Sequence, residues 1–226
     1  MSVTERGAAA AESFVAPGSP GVDPEKRRCS VCKRHPEECV CGQIPRAQAR
    51  THVVFLQHAR ERLSQSNTGL LAHRILAGSQ LITIGSLDNP REFSALDSPE
   101  RDLLVLYPRA DAEVLTTAHG SPGRAMGLVV LDATWPQARR MTRRVQPLFA
   151  KRYVQLPPGL VARWQMRKMH RTGRLGTAEA LAWALEILGD TEAADAIRAG
   201  LELVASKIYS IRGKTHPDDE PTSERP

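Results

Sequence analysis

Short apolar runs alternate with helix-patterned segments from His52 to Leu188, and this alternation constrains the fold more than any other feature of the chain. The runs are His52–Gln57 (HVVFLQ), Leu81–Ile84, Leu103–Tyr107, Gly127–Asp132 and Tyr153–Leu156. Each is strand length rather than helix length. Pro108 ends the third and Pro157-Pro158 the fifth, because proline has no N–H to give a ladder. Residues 67–77 carry Leu70, Leu71, Ile75 and Leu76 at helical spacing, Asp111–Ala118 reads as a short helix, and a further helix runs from the turn after Asp132 to Pro147. Two more close the chain: Thr177–Leu188, stopped by Gly189, and Thr191–Ile211, stopped by Gly213, with Thr177 and Asp190 as N-cap candidates. The pattern predicts an α/β fold with a largely parallel sheet covered by helices. Ligands of such sheets sit beyond the carboxyl ends of the strands.

The chain has 226 residues, 41% of them hydrophobic and 25% charged. That is ordinary globular composition, and it excludes a wholly disordered chain, a collagen and a disulfide-packed miniprotein. Residues 1–27, rich in Ala, Gly, Pro and Ser, read as a disordered arm, and 214–226 as a disordered tail. Between them lie a four-cysteine element (28–50) and an α/β domain (51–213), with no internal repeat. No apolar run approaches the roughly 18 residues of a membrane helix. The N-terminus lacks a basic start followed by an apolar stretch, so the expectation is a cytoplasmic protein without a signal peptide or a membrane partner.

All four cysteines fall between Cys29 and Cys41, spaced C-x2-C-x6-C-x-C: Cys29, Cys32, Cys39 and Cys41. Four thiolates suit a closed tetrahedral Zn²⁺ site, which leaves no open position and is therefore structural. Arg27, Arg28, Lys33 and Arg34 flank them and would help keep the thiolates ionised. Two disulfides are the competing reading, disfavoured in a cytosolic chain. An iron–sulfur cluster is another, although the spacing matches neither common ferredoxin pattern. His35 is a spare candidate ligand.

Lys and Arg number 31 against 25 Asp and Glu, a formal charge of +6. The distribution says more than the total. From Arg124 to Arg171 the only carboxylate is Asp132, amid Arg139, Arg140, Arg143, Arg144, Lys151, Arg152, Arg163, Arg167 and Lys168. A long carboxylate-free basic stretch points to nucleic acid; a solvated basic face is the plainer alternative. Within it, GLVVLDATWPQARRM runs a buried strand to Asp132 and then opens a helix. Thr134 and Gln137 have capping-box spacing, and Pro136 fits the first turn. Free N–H groups at such a start favour a carboxylate or phosphate. Arg139/Arg143 and Arg140/Arg144 are like-charge i,i+4 pairs with no Glu between them, an arrangement that an anionic partner explains. Asp132 reads either as a functional carboxylate or as a turn residue, and Trp135 as a ligand contact or a core anchor.

The segment Asp132-Ala133-Thr134-Trp135 resembles the signature turn of the DTW-domain family, with Ala where Gly is common. The four-cysteine entry, FLQHARERLSQSNTG (55–69), LYP (106–108) and GRLGTAEALAWAL (173–185) resemble further blocks of that family, in order, with Gly176 where Ser is frequent. Together they span about residues 28–211. The resemblance implies a tRNA-uridine aminocarboxypropyltransferase, which moves the 3-amino-3-carboxypropyl (acp) group of S-adenosylmethionine to N3 of a uridine and releases methylthioadenosine. By analogy with a related rRNA enzyme it also implies a SPOUT-like fold with a knotted cofactor site.

That chemistry needs anchors that present the donor's γ-carbon rather than its methyl group. On this reading the backbone of Leu106, Tyr107 and Pro108 and the loop after Leu156 contact adenine, and N–H groups at Thr134 and Trp135 hold the carboxylate. Asp132 is the candidate base or base-orienting residue for N3, or an anion facing the sulfonium. Thr177 is a further donor-site candidate as well as a cap, and Glu179 complements the helix dipole. His58, Glu61, Asn67 and Thr68 are second-choice polar groups. Arg139, Arg140, Arg143, Arg144, Arg167 and Lys168 are the expected RNA contacts. An RNA methyltransferase and a non-enzymatic zinc-containing RNA-binding protein remain as alternatives.

Overall fold

The computed structural model describes residues 22–23, 28–85, 93–97, 100–119, 123, 125–162 and 175–211. Six strands form one sheet: β1 (His52–His58), β2 (Gln80–Ile84), β3 (Arg101–Leu106), β4 (Glu113–Val114), β5 (Ala125–Asp132) and β6 (Arg152–Gln155). Their spatial order is β2-β1-β5-β3-β6-β4, and every pairing is parallel. The helices are α1 (Thr68–Ile75), α2 (Trp135–Arg144), α3 (Thr177–Ile187) and α4 (Thr191–Ile211).

Strand side chains alternate between two cores, as a pleated sheet buried on both faces requires. Val53, Phe55, Leu104, Leu128, Val130 and Val154 face α1, α3 and α4. Val54, Leu56, Leu103, Val105, Val129 and Tyr153 face α2 through Ala138, Met141 and Val145. The predicted parallel α/β architecture is therefore present, in three layers.

Two local expectations change. Asp111–Ala118 is not a helix: Glu113 and Val114 pair with Val154 and Gln155, the Leu115 N–H donates to the Gln155 carbonyl at 2.8 Å, and a short 3₁₀ turn follows at Thr117–His119. Extending the sheet over the buried Leu115 side chain outweighs local helix preference. The helix expected to reach Pro147 ends at Arg144, and Gln146–Leu148 continue as a 3₁₀ turn, since proline interrupts the ladder of an α-helix.

Ahead of β1, Ala47–Gln48 pair with Leu76–Ala77 at the end of α1. Asp190, at the start of α4, grips the junction between the two: its carboxylate accepts from the Arg50 N–H (3.0 Å), the Arg50 Nε (3.2 Å) and the Thr51 N–H (2.9 Å). Among the described residues no helix is long and apolar enough to cross a membrane. The predicted arm and tail, apart from the backbone of Val22–Asp23, lie outside the described residues.

Candidate active site

From β1 the chain moves through α1 to one side of the sheet, and from β5 it moves through α2 toward the other. The carboxyl ends of these two neighbouring strands therefore form a topological switch, where open sheets place ligands. Gln57 and Asp132 are register partners at that point. Asp132 is 3% exposed, and its Oδ2 accepts from Gln57 Nε2 at 2.8 Å and Asn67 Nδ2 at 2.7 Å. Asn67 also caps α1, accepting from the Leu70 N–H at 2.8 Å. Gly69 completes the pocket, because a Cβ there would overlap the Asp132 carboxyl. Burial pushes the Asp132 pKa above the usual carboxylate value; the Gln57 and Asn67 amides oppose the rise, Glu61 adds to it, and the Thr177 hydroxyl again opposes it. The carboxyl is thus enclosed by protein and is not among the residues that line the neighbouring cleft. Its geometry is that of a buried carboxyl tying β1, β5, α1 and the start of α3 together.

Beside this carboxyl lies a cleft of about 440 Å³. It opens at the carboxyl ends of β3, β5 and β6 between the first turns of α2 and α3. Leu106, Tyr107, Pro108, Trp135, Leu156 and Thr177, six of the residues expected at the donor site, line it together. Asp132 and Thr134 do not. Thr134 is occupied as a cap: its N–H and hydroxyl both donate to Gln137 Oε1, at 2.8 and 2.7 Å. Thr177 is not the cap of α3, as the sequence suggested. Gly176 takes that position, and its N–H donates to Glu179 Oε2 at 3.0 Å, leaving Thr177 to face the cleft. The positive ends of two helix dipoles thus converge on one space, which favours an anionic group. The Tyr107 and Trp135 rings stand 5.9 Å apart at 43°, and Trp135 remains 42% exposed, a half-open aromatic wall for a planar ring. Sequence reasoning missed Gln155, Leu160, Leu175 and Ala180, which also line the cleft. Three are apolar and carry no chemical signature; only tertiary folding brings them there.

The four cysteines converge as their spacing predicted. One sulfur of each lies within 4.8 Å of all the others, with Cys29–Cys41 at 3.8 Å and Cys32–Cys39 at 3.7 Å. Zn–S bonds of about 2.3 Å would set tetrahedral sulfurs about 3.8 Å apart, so the cluster has the dimensions of a four-thiolate metal site. All four are free thiols, which sets aside the disulfide reading. The cation at the cluster is Arg74 of α1, whose Nη1 donates to Cys41 Sγ at 2.6 Å. Of the flanking cations, Arg28 and Lys33 bond the carbonyls of Lys33 and Ser30, and Arg27 lies outside the described residues. The Cys32 thiol and Arg74 bring Cys41 down to about 5 against the burial that opposes them.

The DTW domain matches residues 26–209. The chain belongs to the DTW domain family. It is 30% identical over 176 residues to "tRNA-uridine aminocarboxypropyltransferase 2" of Drosophila melanogaster, covering 74% of this chain and 69% of that protein. It is 30% identical to the protein of the same name from Macaca fascicularis, covering 74% of this chain and 59% of that one. Against the Mus musculus protein it is 26% identical, covering 92% and 76%. Among solved structures it is similar to the SAM-dependent rRNA:acp-transferase Tsr3 from Vulcanisaeta distributa, with a TM-score of 0.46 and 21% identity over 74% of this chain and 86% of that one.

In this DTW domain the four arginines after Trp135 are all exposed, because α2 buries its opposite face through Ala138 and Met141. Arg140 and Arg144 line a second hollow, on the far flank of α2 from the cleft. Arg167 and Lys168 lie outside the described residues.

Proposed function

We propose that this DTW domain transfers the acp group of S-adenosylmethionine to N3 of a uridine in tRNA. One observation carries the reading: blocks far apart in sequence, LYP, Ala133 and Trp135 of the turn after Asp132, and the start of α3, converge on a single cleft at the carboxyl ends of β3, β5 and β6, beside the switch point of the sheet. The names of the relatives supply the substrate class and the transferred group.

In this reading Tyr107, Pro108 and Leu156 border the adenine, and the first turns of α2 and α3 face the donor's α-carboxylate. The N3 lone pair forms a bond to the γ-carbon while the C–S bond breaks, its electron pair stays on sulfur, and methylthioadenosine departs. The N3 proton leaves as the new bond forms. Catalysis rests on holding the γ-carbon in line, an effect able to supply several kcal/mol. Asp132 acts from behind, through Asn67 and Thr177. The four cysteines bind zinc as a structural ion, and a SPOUT-like, knotted chain path and a cytoplasmic location complete the proposal.

The test is nucleoside mass spectrometry of unmodified tRNA incubated with protein and donor. A uridine gaining the acp mass is expected. A gain of one methyl group would replace this reading with the methyltransferase. No product, together with no rise in melting temperature on adding S-adenosylmethionine, would leave a non-enzymatic RNA-binding protein.

A further inference from the structure

Helix α2 has two working flanks. Trp135 and Ala138 close the donor cleft, while Gln137, Arg140 and Arg144 wall a second groove of about 1010 Å³. The opposite wall of that groove is His58, at the end of β1, and Thr83–Gly85, at the end of β2. Neither the Arg140 nor the Arg144 guanidinium is in an ion pair among the described residues, and Asp97 is the one carboxylate among the described lining residues. Arg139 and Arg143 line neither space.

His58 adds a neutral donor. Its Nδ1 accepts from the Arg60 N–H at 3.2 Å, and an amide N–H only donates, so the ring proton sits on Nε2. Nε2 lies over Gly85, 3.5 Å from where a Cβ would stand. Burial, then the charges of Arg60 and Arg140, hold the imidazole below its usual pKa. The groove therefore offers two guanidinium groups and an uncharged N–H. That set matches a chain of phosphodiesters, whose oxygens accept from both kinds of donor. It also shares helix α2 with the cleft, whose wall includes the exposed Trp135.

We propose, resting on the RNA-directed reading above, that this groove carries the tRNA strand flanking the target uridine, with Arg140 and Arg144 on its phosphates and Arg139 and Arg143 outside it. Four guanidiniums that looked equivalent in sequence thus divide into two functional pairs.

The test compares unmodified tRNA binding across a salt series for the full chain, for Arg140→Gln with Arg144→Gln, and for Arg139→Gln with Arg143→Gln, while S-adenosylmethionine affinity is measured on each. Loss of the groove pair should weaken tRNA at least about tenfold and flatten the log–log salt slope by between one and two, the scale of two lost phosphate contacts. Loss of the other pair should change affinity less than about threefold, and donor affinity should hold throughout, which also shows that both variants are folded. Equal losses from the two pairs, or no loss from Arg140 and Arg144, would overturn the groove while leaving the transferase reading intact. A wild-type chain that binds the donor but no tRNA would overturn both.

Discussion

The cysteine cluster and the donor cleft are built in opposite ways. All four thiols come from one stretch, Cys29 to Cys41, whereas the cleft gathers residues from Leu106 to Ala180 on three strands and two helices. The first is a site that a short loop makes for itself and then fastens to the domain through Arg74. The second exists only once the sheet has closed. The metal site should accordingly fail locally and the cleft globally.

Stripping the metal is the strongest way to break that contrast. Elemental analysis should find about one zinc per chain, and chelation should abolish hydrogen-exchange protection across residues 28–45 while β1, β5 and α4 stay protected, because a closed four-thiolate site is folding energy for the segment that holds it. If protection vanished everywhere at once, the two regions would be one cooperative unit.

Asp132→Asn probes the other side. The substitution keeps the size but replaces a carboxyl that accepts from two amides by an amide, so the protein should fold, while misplacement of Asn67 and Thr177 should lower transfer by roughly 10²-fold, the scale of a displacement near one ångström. The loss should be accompanied by weaker S-adenosylmethionine binding in calorimetry. Unchanged donor affinity with the same rate loss would instead return Asp132 to direct chemistry.

Asp190→Asn tests the join, with the smallest effect. Burial raises the Asp190 pKa, but the Thr51 hydroxyl, the Thr51 and Arg50 N–H groups and the Arg50 guanidinium outweigh it, so the net shift is downward. A depressed folded pKa means stabilisation present above the unfolded value near 4 and lost as pH falls through the folded one. Denaturant melts should therefore show a cost of about 1.5–3 kcal/mol at pH 7, the scale of hydrogen bonds to a charged group. The gap from wild type should narrow below pH 4, and a pH-independent difference would refute the assignment.

What could be read from sequence follows the same divide. The parallel α/β plan, the strand ending at Asp132 and the four-sulfur cluster were legible, because period, capping spacing and cysteine spacing are local signals. Leu106–Pro108, Trp135, Leu156 and Thr177 were legible as candidates only through the family resemblance, since nothing local says that they meet. Arg74 was invisible as the thiolates' partner, standing 33 residues from Cys41. Asp132 was legible at the strand end but its enclosure was not, because the amides of Gln57 and Asn67 and the bare backbone of Gly69 surround it only in three dimensions. The strand at Glu113–Val114 was missed because its hydrogen bonds belong to β6.

The strand order also governs how the chain must assemble itself. The pair that makes the switch point, Gln57 against Asp132, is separated by 75 residues. During synthesis β1 can zip only with β2, and its other edge stays bare until β5 has emerged. Loop-closure entropy of that size slows folding relative to helical domains, and an unpaired apolar edge invites intermolecular association. The same topology that places two hollows on either side of α2 thus sets a folding order in which β1 pairs on one side long before the other.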